Sequence, residues 1–155
     1  MAAENIRPTL SLVVPVYRDA GAVPLFFAAV KPVLDELSLK AEIICVDDGS
    51  DDGSLNALRR EQQADTRIKV IELSRNFGKE AALTAGLAYS EGAAVVPIDV
   101  DLQDPPELIG PMLERWRAGY DVVYAVRQRR ANDNLIKQVS ARLFYRTYNR
   151  LSQVR

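Results

Sequence analysis

The chain has 155 residues, 48% hydrophobic and 26% charged, a size and composition that suit one compact domain with a proper core. Histidine is absent and Cys45 is the one cysteine, which excludes Ser-His-Asp and Cys-His catalysis, His-based zinc sites and an intrachain disulfide. The lone cysteine points to a reducing compartment, no apolar run approaches the ~20 residues that cross a bilayer, and "MAAENIRPTL" is no signal-peptide pattern, so a cytoplasmic location is expected.

In chain order, "LSLVVPV" (Leu10–Val16) is a short β-branched apolar run ending at a turn, the pattern of a buried strand. A helix is predicted from about Gly21 to Leu37, with Pro24 in its first turn and Pro32 expected to kink or split it. "AEIICV" (Ala41–Val46) predicts a second strand, with Cys45 packed as a small apolar residue, and runs into "DDGSDDGS". The next helix is expected over Ser54–Ala64, capped by Asp52 or Ser54. "RIKVIEL" (Arg67–Leu73) predicts a third strand, followed by the loop "SRNFGK" and a helix over Glu80–Ser90. In the fourth strand, "GAAVVPID", Pro97 removes a ladder donor and predicts a local irregularity or an early end. A helix follows from near Pro106 to Gly119, and "YDVVYAV" (Tyr120–Val126) is expected as a fifth strand.

Strands alternating with helices imply right-handed crossovers, so the expected class is α/β: a Rossmann-like, mainly parallel sheet flanked by helices. In such sheets ligands gather beyond the carboxyl ends of the strands. "YRD", "DDGS", "SRNFGK" and "DVDLQD" each trail one of the four strands, so they should line a single rim.

In "DVDLQD", Asp99, Asp101 and Gln103 stand two apart, and in extended chain they would project to one side. Three oxygen ligands facing one point suit a hard divalent cation, Mg2+ or Mn2+, bridging a diphosphate; the same residues also suit a solvated acidic turn ahead of the next helix. Asp47 and Asp48 in "VDDGS" can accept from a base or ribose, or serve turn geometry alone. Tyr17 can stack on a base or seal the core. Arg75 and Lys79 flank Gly78 at a helix start, where amides and cations favour phosphate, or they form an ordinary basic loop.

Charge divides the chain unevenly. Residues 1–126 carry 12 Lys/Arg against 20 Asp/Glu, a balance of −8, while residues 127–155 carry 8 Lys/Arg against Asp133, a balance of +7. In the basic section Leu135, Ile136, Val139, Leu143, Phe144, Thr147 and Leu151 recur at helical spacing, with Lys137, Arg142, Arg146 and Arg150 on the remainder. Such an amphipathic helix reads as a membrane-surface element, or as a helix packed on its own sheet. The acidic remainder and the lack of a nucleic-acid motif count against a nucleic-acid partner.

Taken together, "SLVVPVYRDAGAVP", "VDDGSDDGS", "LSRNFGKEAALTAGL", "DVDLQDPPELI", "GYDVVYAVRQRR" and "FYRTYNRLS" resemble, in order and spacing, the family 2 glycosyltransferases. Within that family the likeness is to the polyprenyl-phosphate glycosyltransferases, bacterial relatives of dolichol-phosphate mannosyltransferase, over residues 10–152. The resemblance implies a GT-A fold holding a UDP- or GDP-sugar, with Pro15, Tyr17, Asp19, Asp47, Asp48, Arg75 and Lys79 around the donor. Asp99 and Asp101 would be the catalytic carboxylates, and with Gln103 they would hold Mg2+ or Mn2+ against the diphosphate. Arg127 and Arg130 match basic positions near the acceptor lipid phosphate. It further implies a donor domain over 1–126, a basic segment over 127–155 leading to acceptor loop and membrane helices, and work at the cytoplasmic face of the membrane. A homo-oligomer remains open.

Two positions depart from the family pattern: Arg18-Asp19 stands where Asn-Glu is usual, and Pro97 replaces a typical strand residue. The acceptor in such enzymes is an ionised phosphate, so one inverting displacement needs no histidine base. Rival expectations are a sugar-phosphate nucleotidyltransferase, which should carry a glycine-rich loop after the first strand, and a non-catalytic nucleotide-binding or membrane-associated module.

Overall fold

The computed structural model describes residues 8–126. Its elements alternate: β1 (Leu10–Val16), α1 (Ala22–Glu36), β2 (Ala41–Asp47), α2 (Ser54–Ala64), β3 (Ile68–Glu72), α3 (Lys79–Ala88), β4 (Ala94–Pro97), a 3₁₀ turn (Pro106–Leu108) and α4 (Ile109–Arg117). The four strands form one parallel sheet in the order β3-β2-β1-β4. The chain divides after Val123; the described residues before that point form one unit, and Tyr124–Val126 lie in neither helix nor strand.

The two sheet faces follow from the period of two along each strand. Leu10, Leu12, Val14 and Val16 of β1, with Ile43 and Cys45 of β2, face one layer built from α1, α2 and α4. There α1 buries Val23, Phe26, Phe27, Val30 and Leu34, a helical stripe spaced by three and four. Each such side chain contributes about 1.5–3 kcal/mol on full burial. Ile44 and Val46 face the opposite layer, against Ala82 of α3. That helix approaches the sheet at Gly86, where an added Cβ would lie 2.3 Å from the Val13 side chain.

Pro32 does not split α1: it and Ala28, whose carbonyl loses its partner, are both exposed, on the side of the helix where that loss is tolerated. β4 stops at Pro97, as that residue predicts. The amides of Ala94 and Ile98 donate to Thr9 and Val13, so Pro97 falls where its missing donor would face away from β1. The expected fifth strand does not form among the described residues. Tyr120–Val126 pairs with no strand among the described residues, and Tyr120 and Val122 are 57% and 78% exposed. A β-branched run becomes a strand only where a partner edge receives it, so composition alone overstates it.

Candidate functional site

All four strand-trailing motifs arrive at the carboxyl end of the sheet. Beyond it lies a cavity of ≈ 260 Å³, lined among others by Pro15, Tyr17, Asp19, Asp48, Lys79, Asp99 and Asp101. Seven residues expected at a donor site are therefore brought together by the parallel topology.

The two halves of "DDGSDDGS" have different tasks. The second half, with Ser50 at the end of the first, anchors the loop after β1: the amides of Arg18, Asp19 and Ala20 donate to the side chains of Ser50, Ser54 and Asp52 at 3.0, 2.8 and 3.1 Å. Asp52 also receives the Ser54 amide at 3.0 Å, so Asp52 serves the start of α2. Those bonds, first the one from the Ser54 hydroxyl, hold the Asp52 carboxyl below its usual range. Arg18, at φ 55°, turns its guanidinium to Asp51 through contacts of 2.7 and 2.8 Å. The departure from Asn-Glu thus sends a cation along the loop, while Asp19 lines the cavity.

The first half organises the cavity wall. Asp47 and Asp48 are both buried, at 1% and 2% exposure. Asp47 accepts the Ser50 amide at 3.1 Å and does not line the cavity; its Oδ1 has no hydrogen-bond partner among the described residues. Asp48 lines the cavity and accepts the amides of Phe77 and Gly78 at 2.7 and 2.8 Å, one on each oxygen. Gly49, at φ +68°, lets the turn meet the next loop: a Cβ there would lie 2.5 Å from the Arg75 carbonyl carbon.

Lys79, the first residue of α3, reaches across to Asp99, its ammonium 2.7 Å from Oδ1 and 2.8 Å from Oδ2. Arg75 instead lies over the Phe77 ring, 4.8 Å from its centroid, and does not line the cavity. Asn76 does line it and was not singled out from sequence; its place inside "SRNFGK" is the one signal that marks it.

The extended geometry expected for Asp99, Asp101 and Gln103 is replaced by a turn, with Leu102 at φ 56° and its amide 3.5 Å from the Asp99 carbonyl. Asp99 and Asp101 still line the cavity together. Gln103 does not; its side-chain amide donates to Asp101 at 2.7 Å, and its backbone amide at 3.2 Å. Among the described residues no three Asp, Glu, His or Cys side chains gather into a ready-made metal cage. Two carboxylates beside a ligand cavity nevertheless form the oxygen-only set that suits Mg2+ or Mn2+, which commonly take one or two carboxylates plus substrate phosphates. Arg127 and Arg130 lie outside the described residues, as does the basic helix expected after them. Among the described residues no helix is long and apolar enough to cross a membrane.

Known proteins are similar to this chain in sequence and fold. An uncharacterised glycosyltransferase of Synechocystis sp. is 47% identical over 146 residues, which is 94% of this chain and 46% of that protein. The prophage bactoprenol glucosyl transferase homolog of Escherichia coli is 41% identical over 143 residues, 92% of this chain and 47% of that protein. The Pyrobaculum calidifontis mannosyltransferase solved with GDP-Man and Mn2+ matches with a TM-score of 0.65 and 26% identity, over 80% of this chain and 37% of that one. The fold is thus of the GT-A type, and the chain spans about half the length of the curated relatives it matches. With residues 11–154 matching the family described as Glycosyl transferase family 2, and its motifs gathered on one rim, the chain belongs to that family.

Proposed function

We propose that this chain is the donor-binding part of an inverting, metal-dependent glycosyltransferase that moves a sugar from UDP or GDP to a polyprenyl phosphate at the cytoplasmic face of the membrane. The observation that carries the reading is the cavity wall, where Tyr17, Asp48, Lys79, Asp99 and Asp101 converge from four separate strand ends. Relatives named as bactoprenol glucosyl transferase and undecaprenyl-phosphate 4-deoxy-4-formamido-L-arabinose transferase support the lipid acceptor. The Mn2+ and GDP-Man of the Pyrobaculum enzyme support the ion and a nucleotide-linked donor.

The residues divide the work by position. Tyr17 offers a ring face to the base, and Asp19 with Asp48 offers acceptors for ribose or base hydrogens. Asp99 and Asp101 would hold the ion, with Gln103 orienting Asp101 through its side-chain amide. When bound, a divalent ion supplies charge neutralisation for the departing diphosphate. An acceptor phosphate oxygen attacks the anomeric carbon as the bond from that carbon to the diphosphate oxygen breaks, and the electron pair leaves with the nucleoside diphosphate. The attacking oxygen is already ionised at neutral pH, so the absence of histidine costs the reaction nothing. The protein's task is to stabilise charge on the leaving group, and Lys79 at the start of α3 is placed to share it. Arg127 and Arg130 are proposed for the acceptor phosphate, in the basic segment that follows residue 126.

Calorimetry of the chain with UDP-glucose and GDP-mannose, with and without Mn2+, tests donor and ion together. Ion-dependent binding of one of the two is expected, and binding of neither overturns the reading. Transfer is checked by chromatography of radiolabelled sugar with undecaprenyl phosphate in the full-length protein. A product that stays water-soluble would favour the nucleotidyltransferase alternative.

A further inference from the structure

The basic residue at the start of α3 is in an unusual place. A cation at a helix N-terminus meets the positive end of the dipole, which is unfavourable. Lys79 occupies that position and is relieved by both oxygens of Asp99, 20 residues away in sequence. Its backbone is held from behind, because Asp48 takes the amides of Phe77 and Gly78 immediately before it. The anchor is fixed and the four-carbon stem is the movable part; the lysine side chain is 57% exposed and that of Asp99 39%. The pair borders the cavity that also contains Asp101.

Resting on the donor-and-ion reading above, we propose that Lys79 and a divalent cation compete for the Asp99 carboxylate, and that the donor diphosphate decides the competition. An ion ligated by Asp99 would draw on the same two oxygens that the ammonium holds within hydrogen-bond distance, and the two cations repel each other there. Alone, the ion gains Asp99 and strands a lysine against the helix dipole. With a diphosphate present, the ammonium has a new anionic partner beside the α3 amides, and the exchange loses no charge pairing. Lys79 thereby couples ion binding to donor binding. It discourages a bare ion and favours the ion–nucleotide pair.

The test measures binding rather than turnover. Mn2+ is titrated by electron paramagnetic resonance into wild type and Lys79→Met, alone and with saturating UDP or GDP. For wild type, weak binding of Mn2+ alone and much tighter binding with one nucleotide are expected. For Lys79→Met, which keeps the stem and removes the charge, Mn2+ alone should bind about tenfold tighter, with the nucleotide-induced gain reduced by a similar factor. Lys79→Arg keeps a cation and should retain most of the coupling, which separates the charge from the fold. Unchanged or weaker Mn2+ binding in Lys79→Met, with wild type still binding ion and nucleotide, overturns the exchange and leaves the donor reading standing. Failure of wild type to bind either nucleotide overturns both.

Discussion

Helix α3 is tied to the sheet at both ends by carboxylates from β2 and the residue after it, and the two ties behave differently. At the carboxyl end Asp48 accepts the amides of Phe77 and Gly78, just ahead of the helix. At the amino end Glu42, 4% exposed, accepts the Glu91 amide at 2.8 Å, just beyond it. Glu42 is closed in by the Ser11 hydroxyl and by the Lys69 ammonium 2.7 Å from its second oxygen, and Ser11 in turn accepts the Gly92 amide at 2.9 Å. Asp48 instead borders an open cavity beside Lys79 and Asp99. One device therefore stands in two settings: sealed with its own cation it holds the fold together, and left at a rim it shapes the wall of a cavity.

Removing the sealed tie should have the largest effect on stability. Glu42→Ala leaves Ser11, Lys69 and the Glu91 amide without their acceptor and should cost about 2–4 kcal/mol in urea unfolding, with nucleotide affinity within a factor of about two. A large loss of nucleotide binding without loss of stability would break the comparison at its amino end. Asp48→Ala should reverse the ranking, costing about 1–3 kcal/mol of stability and roughly 100-fold in nucleotide affinity by calorimetry. Equal effects of the two substitutions on binding would show that the rim tie has no separate role.

The sealed tie should also answer to pH. Burial pushes the Glu42 carboxyl up, but Lys69, Ser11 and the Glu91 amide together outweigh it and hold the group below the ordinary glutamate value. A folded value below the unfolded one means stability present above about pH 4.3 and lost as pH falls through the lower, folded value. Urea midpoints measured across that acid range should fall more steeply for wild type than for Glu42→Gln. The smallest effect is expected at Arg18→Ala. Its ion pair with Asp51 is open to water on both sides, with side chains 56% and 67% exposed, so the unfolding midpoint should stay where it is.

Much of this was legible in the residues. Short apolar runs rich in β-branched residues marked β1 to β4, and the placement of polar motifs behind them put those motifs on one rim, because parallel strands all end on the same side. Pro97 marked the end of β4. Local patterning misled at Tyr120–Val126, where strand-like composition meets no partner edge among the described residues. It also misled at Asp99–Gln103, where a turn with Leu102 at positive φ replaces the extended spacing.

By itself the sequence determined the alternation of elements, the chemistry present on the rim and the exclusion of histidine chemistry, since these depend on composition and near-neighbour spacing. Only the tertiary structure decided that Asp48 meets a loop 29 residues on, that Glu42 meets one 49 residues on, and that Lys79 faces Asp99. Such pairings are set by which strand ends adjoin in the sheet and how α3 lies across them. No periodicity in the chain carries that information.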